Sequence, residues 1–180
     1  MAKPKVATVS FGGCFGCHMS ILDIDERILK LVELVDFDRS PIDDIKELGP
    51  CDVGLIEGGC TNEENVHVLQ DFRKKCKVLI SVGACAIVGN IPAVRNGIPL
   101  RECLEEAFLK GPTVADTNPM IPNDPELPLL LNKVYPCHEV VKIDYFLPGC
   151  PPPADMIWEA LVALLTGKKL EMPYELLKYD

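Results

Sequence analysis

The sequence predicts an α/β fold: a doubly wound parallel sheet of four to five strands with helices on both faces. Three observations carry this expectation. Short, β-rich apolar runs alternate with stretches in which apolar residues recur every third or fourth position. Glycine pairs or Gly-Cys steps close most of those runs. A length of 180 residues, 48% of them hydrophobic, suffices for one well-buried core and is short for two ordinary domains with a linker.

The elements follow in order. Val6 to Phe11 is a strand stopped by Gly12-Gly13. A helix is expected from about His18 to Lys30, its inner face set by Ile21, Ile24, Ile28 and Leu31, with Ser20 and Asp23 as a capping box. Leu31 to Phe37 closes that helix and supplies a second strand. Asp52 to Glu57 is a third, apolar as a buried parallel strand should be. Thr61 and Glu64 can cap a helix whose buried face is Val66, Leu69 and Phe72, running to Lys75. Strand four is Lys77 to Val82 and strand five Val140 to Leu147. The last helix starts at Pro153, buries Ile157, Leu161, Leu164 and Leu165, and stops at Gly167. Only residues 111–136, with six prolines in 26 positions, show no sustained period and read as a long loop suited to docking, with Met120, Ile121, Leu127 and Leu129 to Leu131 to bury.

Composition excludes several function classes. Eighteen basic against 27 acidic side chains leave a formal charge of −9, which disfavours nucleic-acid or anionic-membrane binding. No apolar stretch approaches the roughly 18 residues of a membrane span. The N-terminal MAKPKVATVSFGGC lacks an apolar core with a cleavage site, and it lacks a twin-arginine pair, so a cytoplasmic location is expected. Nine cysteines in such a compartment point to metal binding, redox chemistry or small buried hydrophobes, and an odd number cannot all pair internally.

Five of the nine stand just past a predicted strand and beside glycine: Cys14 and Cys17 in GGCFGC, Cys60 in EGGC, Cys85 in GAC and Cys150 in PGCPPP. In a parallel sheet all five loops leave the same edge, where ligands of such sheets collect. Glycine there lets the backbone approach closely and turn amide N–H groups toward thiolate sulfur. Cys14 and Cys17 form a tight chelating pair; Cys85 and Cys150 complete a quartet, with Cys60 as a rival. Cys51, Cys76 and Cys103 sit in strand-edge or helical contexts and read as core or surface thiols, while Cys137 is ambiguous. Other chemistries compete for the CxxC. Structural zinc usually brings two close pairs. A thiol–disulfide centre leaves Cys85 and Cys150 unexplained, and Cys14 to His18 also matches the covalent-haem spacing, which normally implies export.

Taken together, GCFGCHMSILDIDE, the IEGG turn, SVGACA and FLPGCPPPAD resemble the small subunit of [NiFe] hydrogenases over residues 4 to about 167. The soluble NAD-reducing, bidirectional type is the nearest likeness, and the PSST-type subunit of respiratory complex I a more distant one. The resemblance implies a flavodoxin-like domain over 1–180. It implies one [4Fe–4S] cluster on Cys14, Cys17, Cys85 and Cys150, and no ligand role for Cys60. It also implies a large-subunit partner carrying the nickel–iron centre and, as acceptor module, diaphorase-type iron–sulfur/flavin subunits that bind NAD. The chain ends soon after its last helix, so further clusters are not expected on it. Complex I modules have adjacent cysteines where Cys14 and Cys17 are separated, which favours hydrogenase. Periplasmic relatives carry Glu and Thr around the first ligand; Gly13 and Phe15 stand here, and neither can relay a proton. Glu57 occupies the family's acidic position and is expected to cap a turn near the subunit interface rather than to relay protons, and His18 is expected to cap a helix rather than to donate to a cluster sulfur or the interface. FMN on this chain is a rival, but the first loop offers cysteines where a phosphate prefers Ser, Thr and Gly opening a helix.

Overall fold

The computed structural model describes residues 3–115 and 117–177; the ends of the 1–180 span and position 116 of the 111–136 loop lie outside them. The central sheet has five parallel strands, β1 (Lys5–Ser10), β2 (Asp36–Phe37), β3 (Cys51–Glu57), β5 (Cys76–Val82) and β7 (Tyr145–Leu147), in the order β2-β1-β3-β5-β7. Numbered within the sheet alone this is 2-1-3-4-5, the flavodoxin-like order, whose direction of winding reverses between β1 and β3. Helices α1 (Gly16–Leu22), α2 (Arg27–Leu34) and α7 (Ala154–Leu165) cover one face, burying Ile21, Ile24, Leu31, Ile157 and Leu161 against Val53, Leu55, Ile80 and Val82. Helix α3 (Glu63–Lys75) covers the other, where Leu69 and Phe72 pack on Ala7, Ile56 and Leu79. Each strand sends alternate side chains to the two layers, so strands buried on both faces read as unbroken apolar runs.

Register is what positions the site. Ser10 pairs with Glu57, Glu57 with Val82, and Val82 with Leu147, so four strands end in one row. The loops that follow leave from a common rim.

Several local expectations need correction. The helix expected over His18 to Lys30 is two helices, broken where Asp25 takes a left-handed φ of 59°, a conformation Asp tolerates better than most side chains. Ser20 lies inside α1 and donates to the Pro152 carbonyl, so it caps nothing. The second strand shrinks to Asp36–Phe37 because Leu31 belongs to α2 and fills the core. Asn62, not Thr61, caps α3, accepting from the Asn65 amide at 2.8 Å while Asn65 holds Thr61 in turn. Strand five shortens to Tyr145–Leu147: the Val140 and Val141 amides turn back onto Cys137 O, and Asp144 meets Leu79 twice, its amide donating to Leu79 O and its carboxylate accepting from the Leu79 amide, both at 2.9 Å.

The proline-rich segment is not loop throughout. Leu130–Tyr135 forms a strand, β6, antiparallel to β4 (Cys60–Asn62) in a separate two-stranded sheet. Short helices α4 (Ala84–Val88), α5 (Asn90–Ala93) and α6 (Leu100–Glu105) lead from β5 toward this segment. Among the described residues no helix is long and apolar enough to cross a membrane.

Candidate metal centre

Cys85 and Cys150 each stand three residues beyond the last residue of their strands, Val82 and Leu147. Cys14 follows Ser10 in the loop that opens α1, and Cys17 is the second residue of that helix. All four line one shallow recess on the rim, together with Gly16, Glu57, Ala84, Gly149 and Pro151. All four are free thiols; Cys17 is buried, Cys85 partly buried, and Cys14 and Cys150 exposed.

Cys60 also stands three residues past a strand end, yet it points elsewhere. Gly58 takes φ 83°, and Gly12 and Gly59 exchange two backbone hydrogen bonds of 3.0 and 2.9 Å, so the chain turns off the rim into β4. Cys60 is fully buried beneath that turn beside Cys137, whose thiol donates to Gly58 O. Cys51 and Cys76 are register partners at the opposite end of β3 and β5, both buried. Hydrogen bonding to Cys60 and burial push the Cys137 thiol well above its ordinary range, and the same causes act on Cys76 beside Cys51. These four are core groups, and Cys103 lies on α6, away from the recess.

The packing of the rim is close. Gly83, the turn after β5, sits at φ 83°, ψ 161°, a region essentially reserved for glycine. A Cβ there would lie 2.3 Å from Cys17 Sγ. The Gly83 amide bonds Leu147 O at 2.8 Å and the Ala84 amide bonds Gly149 O at 2.9 Å, which ties the loop bearing Cys150 to the loop bearing Cys85.

Beneath the recess lies a buried polar chain. Glu57, 3% exposed, accepts from the backbone amides of Cys17 (3.2 Å) and His18 (3.1 Å) and from His18 Nδ1. His18 Nε2 meets Thr8 Oγ1 at 3.0 Å, and Thr8 meets Ser40 at 2.8 Å. Glu57 thus caps α1 from across the sheet, as a carboxylate at a helix N-terminus should. Both ring nitrogens of His18 are engaged there, so its ring is not a donor to the recess; Phe15 stacks on it at 4.6 Å. The periodicity could not show this role, because Glu57 caps a helix 40 residues away in sequence.

Burial and neighbouring charge act on two of the four thiols, Cys17 and Cys85. Burial first, then the Glu57 charge, then Cys85, Cys14 and Cys150 push the Cys17 thiol far above its ordinary range. Burial and the neighbouring Cys150 and Cys14 raise Cys85 as well. Such thiols stay protonated until positive charge enters among them, which is how a thiolate metal site behaves. A flavin phosphate at the opening of α1 would meet amides already bonded to the Glu57 carboxylate. Among the described residues no group of three or more Cys, His, Asp or Glu is spaced to share a single ion.

The chain is similar to known proteins over nearly its full length. The profile of the family NADH ubiquinone oxidoreductase, 20 kDa subunit, matches residues 14–164. The chain is 47% identical to the NAD-reducing hydrogenase HoxS subunit delta of Cupriavidus necator, with 99% of this chain and 86% of that protein covered. It is 42% identical to a subunit of the F420-non-reducing hydrogenase of Methanothermobacter thermautotrophicus over 95% of this chain, but spans only 56% of that protein. Among solved structures, a chain of an NAD+-reducing [NiFe]-hydrogenase in the H2-reduced state superposes with TM-score 0.96 at 52% identity, covering 99% of both chains. A chain of the Ni-Fe-Se hydrogenase of Desulfomicrobium baculatum, at 18% identity and TM-score 0.61 over 97% of this chain and 68% of that one, shares the fold. The matched profile and the full-length identity together place the chain in the NADH ubiquinone oxidoreductase 20 kDa subunit family, alongside the small subunits of [NiFe] hydrogenases.

Proposed function

We propose that this chain is the electron-transfer small subunit of a cytoplasmic NAD-reducing [NiFe] hydrogenase, a hydrogen:NAD+ oxidoreductase complex. In this reading residues 1–180 act as one unit, and Cys14, Cys17, Cys85 and Cys150 hold one [4Fe–4S] cluster. That cluster stands between a large subunit carrying the nickel–iron centre and a diaphorase-type module. The observation that carries the reading is the convergence of four free thiols, from three loops, on one strand-end recess. The likeness to HoxS subunit delta, a protein named for NAD reduction, supports the electron acceptor.

The donor set fits the group. Four thiolates are the usual ligands of a four-iron cube, whose sulfur ligands stand further apart than those of one tetrahedral ion. A bound cluster supplies reversible one-electron transfer. The chain's own residues do the rest. Glu57 fixes the first turn of α1 and with it Cys17, Gly83 leaves room for the Cys17 sulfur, and the amides of Gly83 and Ala84 lock the loop of Cys150. No bond-making role is assigned to any residue here. The exposure of Cys14 and Cys150 leaves the recess open toward a partner, and the apolar segment within 111–136 supplies a second surface for docking.

Iron and acid-labile sulfide analysis of the co-purified complex tests this. Four iron and four sulfide assignable to this chain, with absorption near 400 nm that bleaches on reduction, are expected. A two-peaked yellow flavin spectrum from this chain, or colourless protein with titratable thiols, refutes it.

A further inference from the structure

One described side chain reaches a sulfur of the recess from outside it. Asn90 donates from Nδ2 to Cys150 Sγ at 3.4 Å. Cys85 and Cys150 lie on different loops, one at the start of α4 and one after β7.

Asn90 is placed there by an unusual backbone. Gly89 ends α4 at φ 82° with its amide on Cys85 O at 3.0 Å, and Asn90 follows at φ 39°. Only Phe15, Asp25 and Asn90 among the described non-glycine residues have positive φ. Asn is among the side chains that accept this conformation most readily, and the turn it makes starts α5 under Cys150 instead of continuing α4.

We infer that Asn90 is a positioning residue that sets the cluster's reduction potential, its side-chain amide donating to the sulfur of Cys150 and holding that loop against the loop of Cys85. The inference rests on the proposed ligand set. Reduction adds negative charge to the cluster and its thiolates, so an N–H dipole aimed at a ligand sulfur stabilises the reduced form more than the oxidised one. Removing the donor therefore lowers the potential.

The test is a potentiometric titration of the intact complex followed by the electron paramagnetic resonance of the reduced cluster, in wild type, Asn90→Gly and Asn90→Asp. Asn90→Gly keeps the left-handed turn at no steric cost and removes the amide. It should shift the reduced-to-oxidised ratio about threefold at fixed ambient potential, a fall of about 28 mV at 59 mV per tenfold change. Asn90→Asp removes the donor and adds a charge, and should fall further. An unchanged potential in Asn90→Gly overturns the inference and leaves the ligand assignment standing. A wild-type complex with no [4Fe–4S] signal on this chain overturns both. A measurement needing no variant stands beside these: wild-type complex labelled with 15N at the asparagine side-chain amide should show a 15N coupling to the reduced cluster, and its absence overturns the inference.

Discussion

Gly83→Ala is the sharpest test of the recess. The new Cβ lies 2.3 Å from Cys17 Sγ, where unstrained contact needs about 3.5–4.0 Å, so the sulfur would have to retreat by roughly 1.2–1.7 Å. It has nowhere to go, because the amides of Cys17 and His18 are held by Glu57 and Cys17 packs into the core layer. The backbone adds its own cost: φ 83°, ψ 161° is a region that a side chain occupies only at about 1–3 kcal/mol. A metal site tolerates ligand displacements of about 0.2 Å. Iron and sulfide assignable to this chain in the purified complex should therefore fall at least about threefold, with a matching loss of that cluster's share of the 400 nm absorption. Gly97→Ala is the control, since nothing lies within 4 Å of its would-be Cβ, and it should keep full cluster content. If Gly83→Ala keeps wild-type iron, sulfide and spectrum, Cys17 does not ligate from the position described here.

Three further outcomes can be checked. Serine at Cys14, Cys17, Cys85 or Cys150 should strip most of the iron, whereas alanine at Cys60 or Cys103 should leave it in place; an iron loss in Cys60→Ala would restore the rival ligand. Glu57→Ala strands three donors, the Cys17 and His18 amides and His18 Nδ1, at about 1–3 kcal/mol each, so chemical denaturation should show a loss of about 3 kcal/mol or more, with Glu57→Gln milder; a loss under about 1 kcal/mol would contradict the capping role. For Asp144, burial alone would raise the carboxyl, but the hydrogen bonds from Arg73 and the Leu79 amide outweigh it and hold it below the ordinary carboxylate range. A depressed folded value means stabilisation that is complete above the unfolded value of about 3.9 and fades as pH falls through the folded one. The stability gap between wild type and Asp144→Asn should accordingly narrow from pH 7 to pH 3, and a gap that widens would reverse the sign argued here.

Much of the architecture was legible because burial leaves a periodic trace. Val6 to Phe11, Asp52 to Glu57 and Lys77 to Val82 were located within a residue or two, since parallel strands buried on both faces must be continuously apolar. The broken helix after Cys17 was not, because Ile21, Ile24 and Leu31 face the core whether or not the hydrogen-bond ladder runs through Asp25. Caps failed for a related reason. Ser20 and Thr61 have suitable side chains, but their partners were chosen by neighbours distant in the chain or by Asn62 and Asn65.

By itself the sequence determined the cysteine content, the glycines beside those cysteines and the number of strands that could carry them to one edge. Only the tertiary structure decided which cysteines meet. Cys60, Cys85 and Cys150 have the same offset from a strand end, and nothing local separates them. What separates them is the Gly12–Gly59 pairing, which diverts one loop into the small sheet, and the common register of Ser10, Glu57, Val82 and Leu147, which delivers the others to a single recess. Both are contacts between segments tens of residues apart, and long-range pairing is free energy that no window of sequence contains.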